Sequence, residues 1–168
     1  MNAILKMTHL GLLSLLILCT GCAATSNQFV GNSVAPQQQI VALPSGGSSV
    51  DSWQNFDITI DYQYKRVGDL FEITGAAELT PRYEMLYENL RDLRVFLFFL
   101  DDKARVLGAN MLARSLTNRV DESLGFTKFY KVPPGTVSFT FGYDGYVSEA
   151  GERYWGGLKS FYMLPLGK

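Results

Sequence analysis

The chain has 168 residues, with 15 Lys and Arg against 16 Asp and Glu, one His and two Cys. That length suits one domain of ordinary size, and an apolar content of 47% excludes disorder throughout. Near-neutral charge removes the electrostatic basis for nucleic-acid binding, because phosphate contacts need an excess of Lys and Arg.

The first element in chain order is an address. Lys6 precedes an apolar run from Leu10 to Cys19. The run is too short to span a bilayer, which takes about 20 residues, and it fits the apolar region of a secretory signal peptide. Thr20-Gly21-Cys22-Ala23 follows. A small residue directly before Cys at this place resembles the lipobox of bacterial lipoproteins, although Cys19 stands where Leu is commoner. The resemblance implies cleavage between Gly21 and Cys22, a diacylglycerol thioether on Cys22, and acylation of the new amino terminus, with palmitate for example. In the enteric pattern an Asp after the Cys retains the protein in the inner membrane. Ala23 therefore implies lipid anchoring in the outer membrane, on its periplasmic face. Cleavage would remove Lys6, His9 and Cys19. The remaining chain would have no His, a single Cys, and 14 basic against 16 acidic residues. No internal disulfide is then available, and the core must be held by packing.

The expected organisation is a signal peptide over 1–21, a lipidated Cys and flexible tether over 22–52, and a folded domain over 53–168. Residues 23–52 are rich in Ser, Gly, Gln, Asn and Ala, with Pro36 and Pro44. Such a segment buries too little apolar area to offset its ordering entropy. A short strand at Gln39–Leu43 is the one alternative within it. As a coil, thirty residues would reach roughly 30 Å and hold the domain clear of the headgroups.

The chain holds 2 Trp, 9 Tyr and 11 Phe, and all but Phe29 lie from Trp53 onward. Phe56, Ile58, Ile60, Tyr62 and Tyr64 alternate with polar residues, the period-2 signature of a half-buried strand. A turn at Val67-Gly68-Asp69 leads to a second strand through Phe71, Ile73, Ala77 and Leu79, where Gly75 suggests a bulge or bend. Thr80-Pro81 reads as a helix start, Thr80 as cap and Pro81 at the first helical position. Tyr83, Leu86, Tyr87 and Leu90 continue at helical spacing. Leu93–Leu100 is apolar on both faces, as a central strand requires. A turn over 101–104 precedes a return strand over 105–112, and 116–123 reads as a loop. Further strands are predicted over 124–132 and 137–143, then a turn at Asp144-Gly145. Tyr154-Trp155 and 161–164 form a last strand or an irregular tail. Six or seven short strands and one short helix, with turns between, predict an all-β antiparallel sandwich, and 116 residues can form one core unaided.

The run Val95–Asp101, the return through Arg105-Val106-Leu107, and Pro133-Pro134-Gly135 leading to Phe139 together resemble the FxLYD-type and YcfL-like sandwich domains of bacterial envelope proteins. The likeness covers roughly 71–146. Leu100 and Ala104 depart from it, standing where Tyr and a turn Gly are usual. It implies an immunoglobulin-like fold and an envelope location, and it carries no catalytic residues.

Without His or a free Cys, Ser-His-Asp and Cys-His catalysis and zinc sites built on His or Cys are excluded. No phosphate-loop ending follows Gly46. Asp57 and Asp61 fall on one strand face about 13 Å apart, too far for a glycosidase pair, and read as a solvated face. Asp101-Asp102 suits a hairpin turn and has no Ca²⁺-loop spacing. Tyr143, Tyr146, Tyr154 and Trp155 gather among glycines. They either fill the sandwich end or, exposed, stack on sugar rings or anchor a protein partner. The sequence thus predicts a non-catalytic, cofactor-free lipoprotein, anchored to the membrane and binding another envelope protein. A glycan- or peptidoglycan-binding module is the alternative.

Overall fold

A computed structural model describes residues 27–116, 118–149 and 157–165. Cys22, Tyr154 and Trp155 lie outside the described residues, as does the cleavage position at Gly21. Among the described residues, ten strands and one α-helix follow a 3-10 turn at Asn27–Phe29. They are β1 (Val41–Ala42), β2 (Gly46–Gln54), β3 (Ile58–Val67), β4 (Leu70–Leu79), α1 (Pro81–Leu86), β5 (Asn89–Leu100), β6 (Val106–Ser115), β7 (Asn118–Arg119), β8 (Leu124–Lys131), β9 (Ser138–Ser148) and β10 (Lys159–Met163).

The strands form two antiparallel sheets. One has the order β2-β3-β4-β8. The other runs β1-β9-β5-β6, with β10 beside β9 and β7 beside β5. The chain crosses between sheets from β1 to β2, from β4 to β5, from β7 to β8 and from β8 to β9. Adjacent β4 and β8 in one sheet and adjacent β5, β9 and β10 in the other form the Greek key of an immunoglobulin-like sandwich. The predicted all-β sandwich is the observed fold.

Alternation places the core. From β3, Ile58, Ile60, Tyr62 and Tyr64 point inward and meet Leu93, Val95, Leu97 and Phe99 of β5 and Phe139, Phe141 and Tyr143 of β9. Rings of Tyr62, Tyr64, Phe71, Phe99, Phe139 and Phe141 pack mainly edge to face or tilted, at 5.0–5.9 Å for contacts between the two sheets. Each such pair adds about 0.5–1.5 kcal/mol beyond its area burial. β5 is apolar on both faces because its outer side is also covered. Phe96, Phe98 and Leu100 lie beneath Phe29, Val34 and Leu164.

That cover overturns the tether prediction for the described part of 22–52. Phe29, Val34 and Leu43 are buried. The backbone amides of Gly31, Val34 and Leu43 donate to Val106, Ala104 and Val137. The Gly-Ser run is not coil but the start of edge strand β2, in register with β3 from Gly46↔Val67 to Gln54↔Thr59. An edge strand needs backbone pairing and little side-chain burial, so a polar composition did not forbid it. β1 falls within the short strand considered at Gln39–Leu43.

Other boundaries shift for local reasons. Gly75 marks no bulge: β4 stays in regular register on both sides. A Cβ there would lie 2.3 Å from the Asp61 carbonyl, so glycine serves close backbone approach. Asp144-Gly145 is not a turn, since β9 runs through it between β5 and β10. Arg94, opposite Asp144, grips its carboxylate with two bonds of 2.6 and 2.7 Å. The loop over 116–123 contains β7, which pairs with the start of β5. At the turn after β5, Asp101 Oδ1 accepts the Lys103 and Arg105 amides at 2.8 Å each.

Candidate functional site

The candidate site lies at the end of the sandwich where β3 begins, β4 ends and α1 crosses to β5. Asn55 Oδ1 accepts the amides of Asp57 and Ile58, turning the chain from β2 into β3. This turn carries Asp57 off the strand face. Its two carboxylate oxygens accept the hydroxyls of Tyr83 from α1 and Tyr143 from β9, each at 2.6 Å. Asn55 Nδ2 donates to the Tyr143 oxygen at 2.7 Å. The expected solvated role for Asp57 is therefore incorrect, because tertiary packing brings two phenols onto it. Burial first, and then the bond to Asp57, push both tyrosine hydroxyls well above their ordinary range. Both phenols hold their protons at neutral pH. The cluster clamps three elements together, the β2–β3 turn, α1 and β9.

The clamp seats α1. Pro81 occupies the first turn as predicted, but Thr80 makes no side-chain cap. Its hydroxyl donates instead to the Phe56 carbonyl at 3.1 Å. Tyr83 packs on Phe161 at 5.1 Å and Tyr87 at 5.7 Å. The helix stops at Leu86, so Leu86 leaves the buried stripe that helical spacing predicted. The result is an apolar surface: Met85 is 79% exposed, Phe56 69% and Leu86 57%. The Arg82 guanidinium lies 3.8 Å over the Phe56 ring and fixes it against α1. A concavity of about 420 Å³ separates α1 from the β7 turn, lined by Met85, Leu86, Glu88, Arg119 and Asp121 among others. Glu84, Glu88, Asp121 and Glu122 give its surroundings an acidic character, with Arg119 paired to Asp121 at 2.9 Å.

The aromatic residues expected to act together are split. Tyr143 and Tyr146 are three apart on one strand and point to opposite faces. Tyr143 is buried, so it is withdrawn as a partner or glycan contact, while Tyr146 is 42% exposed. Tyr143 is buried because it faces the core between the sheets, where its ring packs on Phe161 and its hydroxyl reaches Asp57. Arg82 and Met85 were not singled out from sequence, and Phe56 and Leu86, read there as inward strand and helix positions, are exposed because the strand starts only at Ile58 and the helix ends at Leu86. Met85 lying off the Tyr83-Leu86-Tyr87 stripe was the one available signal. Among the described residues, no group of three or more acidic, His or Cys side chains is placed to hold a metal. No helix among them is long and apolar enough to cross a membrane. Comparison with family models, curated proteins and solved structures finds no match to the chain.

Proposed function

We propose that the protein is a non-catalytic outer-membrane lipoprotein whose sandwich docks another envelope protein through the α1 end. The observation that carries the docking claim is the exposed apolar group Phe56, Met85 and Leu86 beside an acidic concavity. Large apolar side chains grouped at a rigid end, with a charged rim, are the usual makeup of a docking patch. The partner then presents an apolar segment flanked by basic residues. The Tyr83–Asp57–Tyr143 clamp supports this role by fixing α1 before binding, which lowers the ordering cost of association. The anchoring claim stands on the Gly21-Cys22-Ala23 resemblance, and the envelope location on that and the likeness to FxLYD-type domains.

Two experiments test the reading. Cys22→Ala should leave an uncleaved precursor without incorporated fatty acid. Membrane attachment with normal cleavage in that variant would defeat the anchor. Met85→Asp should remove a partner that co-purifies with the detergent-extracted protein while leaving the thermal melt unchanged. Retention of the same partner by Met85→Asp would defeat the docking site.

A further inference from the structure

Resting on the lipidated-Cys22 reading, we propose that the sandwich end opposite α1 is a membrane-contact face that lies against an anionic lipid surface. Five peptide steps separate Cys22 from Asn27, a reach of at most about 18 Å when fully extended. From there the chain is fixed to the fold. Phe29 packs on Phe96 and Phe98 at 5.8 and 5.2 Å, and the Gly31 amide donates to Val106. These contacts lie toward the Leu100 end of β5. The α1 end, at Asn89, is seven strand residues from Phe96 and nine from Phe98, roughly 23–30 Å and beyond that reach. A lipid on Cys22 therefore holds the Leu100 end near the bilayer and directs α1 away from it.

The composition of that end fits the position. The β3–β4 hairpin tip presents Val67 and Leu70, 62% and 63% exposed, on either side of Gly68-Asp69. Val137 joins them from the turn before β9, and its amide donates to Leu100. Around the tips stand five basic residues, Lys65, Arg66, Lys103, Arg105 and Lys131, against four acidic ones, Asp69, Glu72, Asp101 and Asp102. Asp69 is drawn toward Lys131 at 3.5 Å, and Asp101 is occupied by backbone amides. The α1 end has the opposite balance, with Asp57, Glu78, Glu84, Glu88, Asp92, Asp121, Glu122 and Glu149 against Arg82, Arg91, Arg114, Arg119 and Lys159. An anionic leaflet attracts the first end and repels the second. Aliphatic tips among cationic side chains suit the headgroup layer, and such a contact supplements an acyl anchor.

The test separates this contact from the processing of Cys22 in cells. The chain from 22 to 168, whose sole cysteine is Cys22, is coupled chemically to a maleimide lipid. The vesicles combine phosphatidylglycerol with phosphatidylcholine carrying a headgroup nitroxide. Reporter variants Leu70→Trp, Val137→Trp and Met85→Trp are compared with the parent chain. The added emission of Leu70→Trp and Val137→Trp should be quenched at least about twofold, and that of Met85→Trp unchanged. Equal quenching at all three positions, or none at any, overturns the contact face. Failure of the anchor reading is seen separately, as normal processing of Cys22→Ala in cells.

Discussion

Asp57 joins three elements through two phenols, and its removal leaves both hydroxyls buried without their acceptor. Asp57→Ala should cost about 2–3 kcal/mol of stability, while Tyr146→Phe should change it by less than about 0.5 kcal/mol. Urea midpoints of the two variants distinguish a clamp from a surface carboxylate. The same clamp contributes to the alkaline limit, together with Tyr62 and Tyr130, whose hydroxyls burial also pushes up. Unfolded tyrosines lose protons from about pH 10, whereas folded Tyr83 and Tyr143 keep theirs to higher pH. The unfolded chain then binds fewer protons, so stability falls as pH rises beyond about 10 toward the raised folded values. Tyr143→Phe should make that fall shallower, and an unchanged slope in urea titrations at rising pH would count against the clamp. A different residue carries avoidable strain. Ala104 sits at φ +56°, a left-handed position that costs an L side chain about 1–2 kcal/mol. Glycine carries no such penalty, so Ala104→Gly should raise the melting temperature. A lowered one would show that the turn depends on the methyl group.

Strand alternation was legible wherever one sheet face meets the core. β3, β4 and β9 show it because each inward residue is aromatic or aliphatic and its neighbours are mostly polar. The segment before Trp53 was not legible. Its apolar residues, Phe29, Val34 and Leu43, are too far apart to form a period, and each is buried by a different part of the finished sandwich. Asp144-Gly145 misled for a related reason: turn chemistry is local, but pairing on both edges of β9 decides the conformation. The site was less readable still, since Asp57 gains its partners from residues 26 and 86 positions away. Two glycines on paired strands test the packing account. Gly75→Ala places a methyl against the Asp61 carbonyl and the Phe126 ring, whereas Gly125→Ala meets nothing nearer than 4.0 Å. The first should cost more than about 3 kcal/mol and the second less than about 1 kcal/mol. Equal thermal shifts would contradict the register of β4 with β3 and β8.

At the scale of the whole molecule the two ends differ in composition and so in assigned role. One end carries aliphatic hairpin tips and an excess of basic residues. The other carries Phe56, Met85 and Leu86 beside an acidic concavity. The described part of the segment read as a spacer instead packs on the sandwich, so five peptide steps separate Cys22 from Asn27, and the proposed anchor would hold the domain in a defined orientation. On this account α1 faces outward from the bilayer as the docking end. The most direct measurement is photocrosslinking in intact cells from a reactive side chain placed at Met85, compared with one at Phe129. Both positions are exposed, but Phe129 lies on β8, away from α1. The account predicts a discrete adduct from Met85 that disappears when Leu86→Asp is added, and none from Phe129. No adduct from Met85, or the same adduct from both positions, would contradict it.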